Sequence, residues 1–210
     1  MNTDFTLRSR GLVKPLRVLT VFIIICAGLV LLSHIFSWAF PGAGDQLAVS
    51  LLYSSILLFL ASVAFQVVYL VWVYKYHKDL KFHFNNYPVT PGQALARRLI
   101  PLLNIWGIWN YHTQLTKRLR EYPDLAGFAR PINVLLILFY LFTFFSDIFI
   151  QGDFSAAFSY LKEASAAVQI GRVIGISANI ALSLVAMRLV SLMNTLLIRR
   201  NAYKLEQVSQ

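Results

Sequence analysis

Residues 18–40 read VLTVFIIICAGLVLLSHIFSWAF, a run without a single Lys, Arg, Asp or Glu. Coiled as a helix it extends about 35 Å at 1.5 Å per residue, enough to cross a hydrocarbon core roughly 30 Å thick. Hydrocarbon offers no water to pair with backbone N–H and C=O groups, so a crossing segment of this kind must be helical. Three further stretches have the same character: 47–74, 132–150 and 173–198, whose only charged residues are Asp147 and Arg188. The sequence therefore predicts an all-α integral membrane protein with four transmembrane helices in one membrane domain spanning residues 1–210.

The composition agrees. Of 210 residues, 58% are hydrophobic and 13% charged, with a mean hydropathy of +0.62, a balance foreign to soluble domains. Punctuation marks the ends of the runs. Lys14-Pro15-Leu16-Arg17 precedes the first, Pro41-Gly42-Ala43-Gly44 suits a tight hairpin into the second, Arg130-Pro131 precedes the third and Arg199-Arg200 follows the fourth. A cleaved signal peptide is the rival reading of the first run, and Ser37-Trp38-Ala39 supplies a small-x-small triplet. The apolar stretch is longer than the core of such a peptide, so it is read as a span. The single cysteine, Cys26, lies inside it and acts as a small apolar side chain.

A net charge of +10 could signal a nucleic-acid partner, but the distribution of the basic residues argues otherwise. Arg8, Arg10, Lys14 and Arg17 precede the first run, and Arg199, Arg200 and Lys204 follow the last. Lys75, Lys78, Lys81, Arg97, Arg98, Lys117, Arg118, Arg120 and Arg130 lie between the second and third, placing 16 of the 19 on one side. Cytoplasmic segments carry this excess, so both termini and the central connection are expected in the cytoplasm, with no nucleic acid involved.

The central connection, 75–131, carries structure of its own. Thr90-Pro91-Gly92-Gln93 reads as a helix start, with Thr90 as cap, Pro91 at the first helical position and Gln93 reaching back. Leu95, Leu99, Leu102, Leu103, Trp106 and Trp109 then recur at helical spacing, with Pro101 expected to kink the helix. This 91–111 segment is too short to span. Its tryptophans favour the headgroup level, and Arg97, Arg98, Lys117, Arg118 and Arg120 suit anionic lipid. An amphipathic or re-entrant helix on the cytoplasmic side is expected, although the same apolar face would equally serve as core for the bundle.

Here a resemblance enters. Thr90-Pro91-Gly92-Gln93-Ala94 followed by Leu99-Ile100-Pro101-Leu102-Leu103-Asn104-Ile105-Trp106 resembles the hallmark of a bacterial multi-pass membrane family catalogued as a domain of unknown function. Its members carry Phe-Ile-Pro-x-x-Asn-Leu-Trp-x-Pro-Tyr between their second and third hydrophobic segments. Ile100, Pro101, Asn104 and Trp106 match, whereas Leu99 replaces the aromatic and Gly107-Ile108-Trp109 replaces x-Pro-Tyr. The resemblance implies the four-segment layout and residence in a bacterial inner membrane, and it carries over no catalytic residue.

Ionisable groups inside a membrane are costly and each is a candidate site. Arg188 lies deep in the fourth run. Ser177, Ala181, Leu184, Arg188, Ser191 and Thr195 share one stripe of that helix, which predicts a small and polar face packed inward. Asp147, near the outer end of the third run, is expected to cap it or to meet Arg172. Gly171 and Gly175, continued by Asn179 and Ser183, have the spacing that lets helices approach closely. His34, Gln66, Asn133 and Asn194 are isolated and read as packing residues. Asp153 followed by Phe154, Phe158, Leu161, Ala164 and Val168 predicts a short amphipathic helix over 154–168 on the outer surface.

Catalytic patterns are scarce. The nine acidic residues form no facing pair, and His77, Asp79 and His83 match no standard metal spacing among their lysines. No phosphate-binding glycine loop, nucleophile elbow or Cys-x-x-Cys is present, so neither metal nor cofactor is expected. Three readings follow. The first is a non-catalytic scaffold or accessory subunit that docks a membrane-protein partner or anionic lipid through the central segment. The second is a small oligomeric transporter or channel component with Arg188 in its pathway, and the third is a lipid-modifying enzyme that uses a His and an Asp brought together by folding.

Overall fold

A computed structural model describes residues 7–40, 44–84, 87–99, 101–156 and 166–208. The described chain is helical, with no strand. A single 3-10 turn, Arg10–Leu12, leads into α1 (Val13–Ala39), followed by α2 (Gly44–His83), α3 (Pro91–Leu99), α4 (Pro101–Arg120), α5 (Ala126–Ala156) and α6 (Ala166–Val208). Four stretches within these are long and apolar enough to cross a membrane: Arg10–Phe36, Leu52–His83, Ala126–Phe145 and Ile170–Tyr203. Each overlaps one of the four expected runs.

The helices are longer than the runs that announced them. With 40 and 43 residues, α2 and α6 are about 60 and 65 Å long, twice what a bilayer core needs. Residues 75–83 and 199–208, expected as a connection and a tail, continue these helices. Similarly, α1 starts at Val13 with Pro15 in its first turn, where a missing N–H costs nothing. Pro131, expected to precede the third span, lies inside α5 and removes one bond near the start of the helix. The expected outer helix over 154–168 does not stand apart where it is described: 154–156 end α5, 166–168 begin α6, and 157–165 lie outside the described residues.

The helix start at residue 90 is built as the sequence predicts. The Thr90 N–H donates to Gln93 Oε1 at 3.1 Å, and the Gln93 N–H donates to Thr90 Oγ1 at 3.2 Å, a reciprocal capping box. Pro101 takes the first position of a new helix, α4, in contact with α3; Ile100 lies outside the described residues.

The chain divides into two compact units. The first comprises Met1–Arg17, Gln66–Leu136 and Met187–Gln210, and the second Val18–Phe65 and Ile137–Ala186. In the first, Leu16, Trp72, Tyr76, Leu80, Phe84, Leu115, Leu119, Leu125, Ile132, Leu196 and Leu197 are fully buried. Tyr69, Trp72 and Tyr76 stack in succession along one face of α2, with ring centroids 5.7 and 5.0 Å apart. The second unit has a sparser core of Ala27, Val30 and Ile176, flanked by Leu31, Leu58 and Ile180. Its outward positions are large and apolar, among them Val18, Leu32, Leu52, Leu60 and Phe144, as a lipid-facing surface requires.

Candidate functional site

Within the first unit the chain ahead of α1 is fastened to α2 by a buried carboxylate. Asp79 accepts hydrogen bonds from the Ser9 N–H at 2.9 Å, the Ser9 hydroxyl at 2.7 Å and the Arg8 N–H at 3.3 Å. Residues at a helix start have backbone donors without intrahelical partners. Here Ser9, wholly buried, does not cap its own turn and passes its hydroxyl to Asp79 instead. The acid of α2 thus caps α1 from across the fold, and burial strengthens the three bonds. His77 and His83, its neighbours in sequence, are also buried, and the His77 ring hydrogen-bonds the Val73 carbonyl through Nδ1 at 2.9 Å. Among the described residues no group of three His, Cys, Asp or Glu is placed to hold a metal ion.

A second anchor holds the end of α6. Arg200 is only 8% exposed, and its guanidinium carbon lies 4.1 Å from the Tyr122 ring centroid, 5.6 Å from Phe84 and 5.5 Å from Tyr203. Phe84 and Tyr122 meet edge to face at 5.4 Å. Among the described residues Nε and Nη1 have no hydrogen-bond partner, and the three ring faces are what these atoms meet.

These anchors support α4, whose two sides differ sharply. His112, Leu115, Thr116 and Leu119 are buried, at the spacing of one helical face. Trp109, Lys117 and Arg120 lie along the edge of that face and are exposed, Trp109 to 52%. At 1.5 Å per residue the tryptophan precedes the two cations by about 12 and 17 Å along the helix. Arg118, between them, is half-buried and bonded to Glu121 at 2.8 Å. Arg97, Arg98, Pro101, Asn104 and Trp106 lie on α3 and α4, but their side chains fall outside the described residues.

The intramembrane candidates are placed differently from expectation. The stripe through Arg188 does not pack inward: Ser177, Leu184, Arg188 and Thr195 are exposed, and Ala181 and Ser191 are half-buried. The inward side of α6 is carried instead by Ile176, Ala178, Ala186, Leu189, Val190, Met193, Leu196 and Leu197. A guanidinium buried without a partner is costly, so the stripe that carries Arg188 turns outward and apolar side chains take the interior. Gly175 is buried and Gly171 half-buried, while the half-buried Asn179 accepts the Ser183 hydroxyl on its carbonyl at 2.9 Å. Arg172 is buried, and the Asp147 side chain lies outside the described residues.

The sequence reading passed over Asp79 as a capping acid and Arg200 as an aromatic anchor. Asp79 did carry a signal, as the sole acid among Lys75, Lys78 and Lys81. Arg200 carried none, since Phe84 and Tyr122 come from distant parts of the chain and only Tyr203 is a local neighbour. No protein-family model, curated protein or solved structure matches the chain.

Proposed function

We propose that the chain is a non-catalytic multi-pass scaffold or accessory subunit of a bacterial inner membrane, with both termini cytoplasmic, that engages anionic lipid through its central segment. The observation that carries this reading is the exposed strip of α4, with Trp109 at one end and Lys117 and Arg120 at the other. Tryptophan settles at headgroup level, and each lysine or arginine close to an anionic surface contributes about 1 kcal/mol. The other face of the same helix is held in a close-packed core, so the strip is presented by a rigid element. The positive-inside distribution supports the orientation, and the motif resemblance supports the bacterial membrane.

Gentle-detergent purification with quantification of retained lipid tests the reading. The wild-type chain is expected to retain phosphatidylglycerol in preference to phosphatidylcholine, and the triple variant Trp109→Ser, Lys117→Gln, Arg120→Gln to lose that preference. Equal lipid retention with loss of a co-purifying protein would transfer the strip to a protein partner. Unchanged retention of both would leave it without a docking role.

A further inference from the structure

We propose that Arg17, Lys78, Arg130 and Arg188, one outward cation on each of the four long helices, contact the phosphates of anionic boundary lipid and mark the cytoplasmic face of the membrane. This rests on the membrane reading above but on residues outside α4, so the two can fail separately.

Each long helix presents an exposed stripe at spacings of three and four residues. On α1, Lys14 and Arg17 precede Val21 and Ile25, and on α5, Arg130 precedes Val134 and Ile137. The order is reversed on the other two. On α2, Val67, Val71 and Tyr74 precede Lys78, and on α6, Ile170, Ile174 and Leu184, with Ser177 among them, precede Arg188 and Arg199. Successive membrane crossings run in opposite directions, so all four stripes turn cationic on the same side. All four cations belong to the first unit, and among the described residues no carboxylate holds any of them.

An acidic protein would meet such cations on one face. Outward cations on four helices call for an occupant that surrounds the chain, and anionic lipid does so. The lengths agree for two helices: on the apolar side of Arg17 and of Arg188, residues 18–39 of α1 and 166–187 of α6 each extend about 33 Å, one hydrocarbon core. On that side α2 and α5 overrun this length, which tilt accommodates. Side chains on a helix lean toward its N-terminus, which on α2 and α6 is the apolar side. Lys78 does so, with Nζ 5.7 Å from the Tyr74 ring centroid. A tyrosine settles at headgroup level, and its hydroxyl and the ammonium are both donors for a phosphate oxygen.

Boundary lipid exchanges freely and is stripped by detergent, so the test reads it in a bilayer. Full-length protein in vesicles of phosphatidylcholine and phosphatidylglycerol is probed with spin-labelled forms of each lipid. A preference of about fivefold for phosphatidylglycerol is expected, the equivalent of the roughly 1 kcal/mol that a cation contributes close to an anionic surface. The quadruple variant Arg17→Gln, Lys78→Gln, Arg130→Gln, Arg188→Gln should bring this preference near parity and still retain lipid in gentle detergent, whereas the triple variant of α4 should do the reverse. Because the four side chains face outward, circular dichroism should match wild type. A wild-type preference in the quadruple variant, or its loss in the α4 variant alone, would overturn the proposal. Depth gives a second reading. In a Cys26→Ser background, fluorophores on single cysteines replacing Val18 or Leu184 should be quenched from the acyl chains, and those replacing Lys14 or Thr195 from water or headgroups. Equal quenching on both sides of Arg17 or of Arg188 would also overturn it.

Discussion

Among the described residues every large side chain that is fully buried, from Leu16 through Trp72 and Leu119 to Leu197, belongs to the first unit, as do all lysines and arginines of the sequence except Lys162 and Arg172. The second unit buries a few scattered side chains, Ile23, Ala27, Val30 and Phe139 among them, and turns most of its leucine, valine and phenylalanine outward. On the proposed membrane reading the difference reflects two solvents. Where water competes, burying large apolar surface drives assembly and buried polar atoms need partners. Where lipid surrounds the helices, a large apolar side chain gains little by turning inward, and close approach of small residues decides what packs.

Core truncation should separate the two units most strongly. Leu119→Ala, at a fully buried position of the first unit, is expected to cost about 3 kcal/mol. Leu60→Ala, at a position 56% exposed in the second, should change stability by less than about 0.5 kcal/mol. Reversible denaturation in mixed micelles measures both, and equal losses would erase the distinction. Next comes the cross-fold cap. Asp79→Ala leaves the two buried Ser9 donors unmatched and should cost about 2–3 kcal/mol, with protease cleavage near residue 9 accelerated by opening of that segment. Cleavage at the wild-type rate would mean that the bonds to Ser9 and Arg8 do not hold it.

Arg200→Lys keeps the charge but loses the planar group that lies over Tyr122, and a loss of about 1–2 kcal/mol is expected. If lysine serves equally well, charge alone and not ring stacking anchors the end of α6. Smallest is Thr90→Ala, which breaks the capping box of α3 for about 1 kcal/mol; amide exchange at residues 91–94 should rise while Leu119 stays protected.

The four spans and the capping box were legible because each depends on residues close in sequence: a run of apolar side chains, or a Thr and a Gln three positions apart. Helix ends were not. Lys75 to His83 look like a loop by hydropathy, yet α2 continues through them because Trp72, Tyr76 and Leu80 bury one face in the first unit. The direction of Arg188 was misread for a related reason. Polar residues were assigned to the interior as in a channel, whereas the bulkier stripe of α6 takes the inside. Asp79 with Ser9, and Arg200 with Tyr122, join positions about 70 residues apart or more, and no local pattern announces such pairs.

The central claim is that the exposed strip of α4 meets the membrane surface, and the position of residue 109 tests it most directly. With Cys26→Ser as background, a single cysteine at 109 carrying an environment-sensitive fluorophore would be read in vesicles containing phosphatidylglycerol, using quenchers in water, at the headgroups and at the acyl-chain centre. The account predicts strongest quenching at the headgroups, weakened when Lys117 and Arg120 are replaced by glutamine. Protection from all three quenchers, or quenching from water alone, would contradict it.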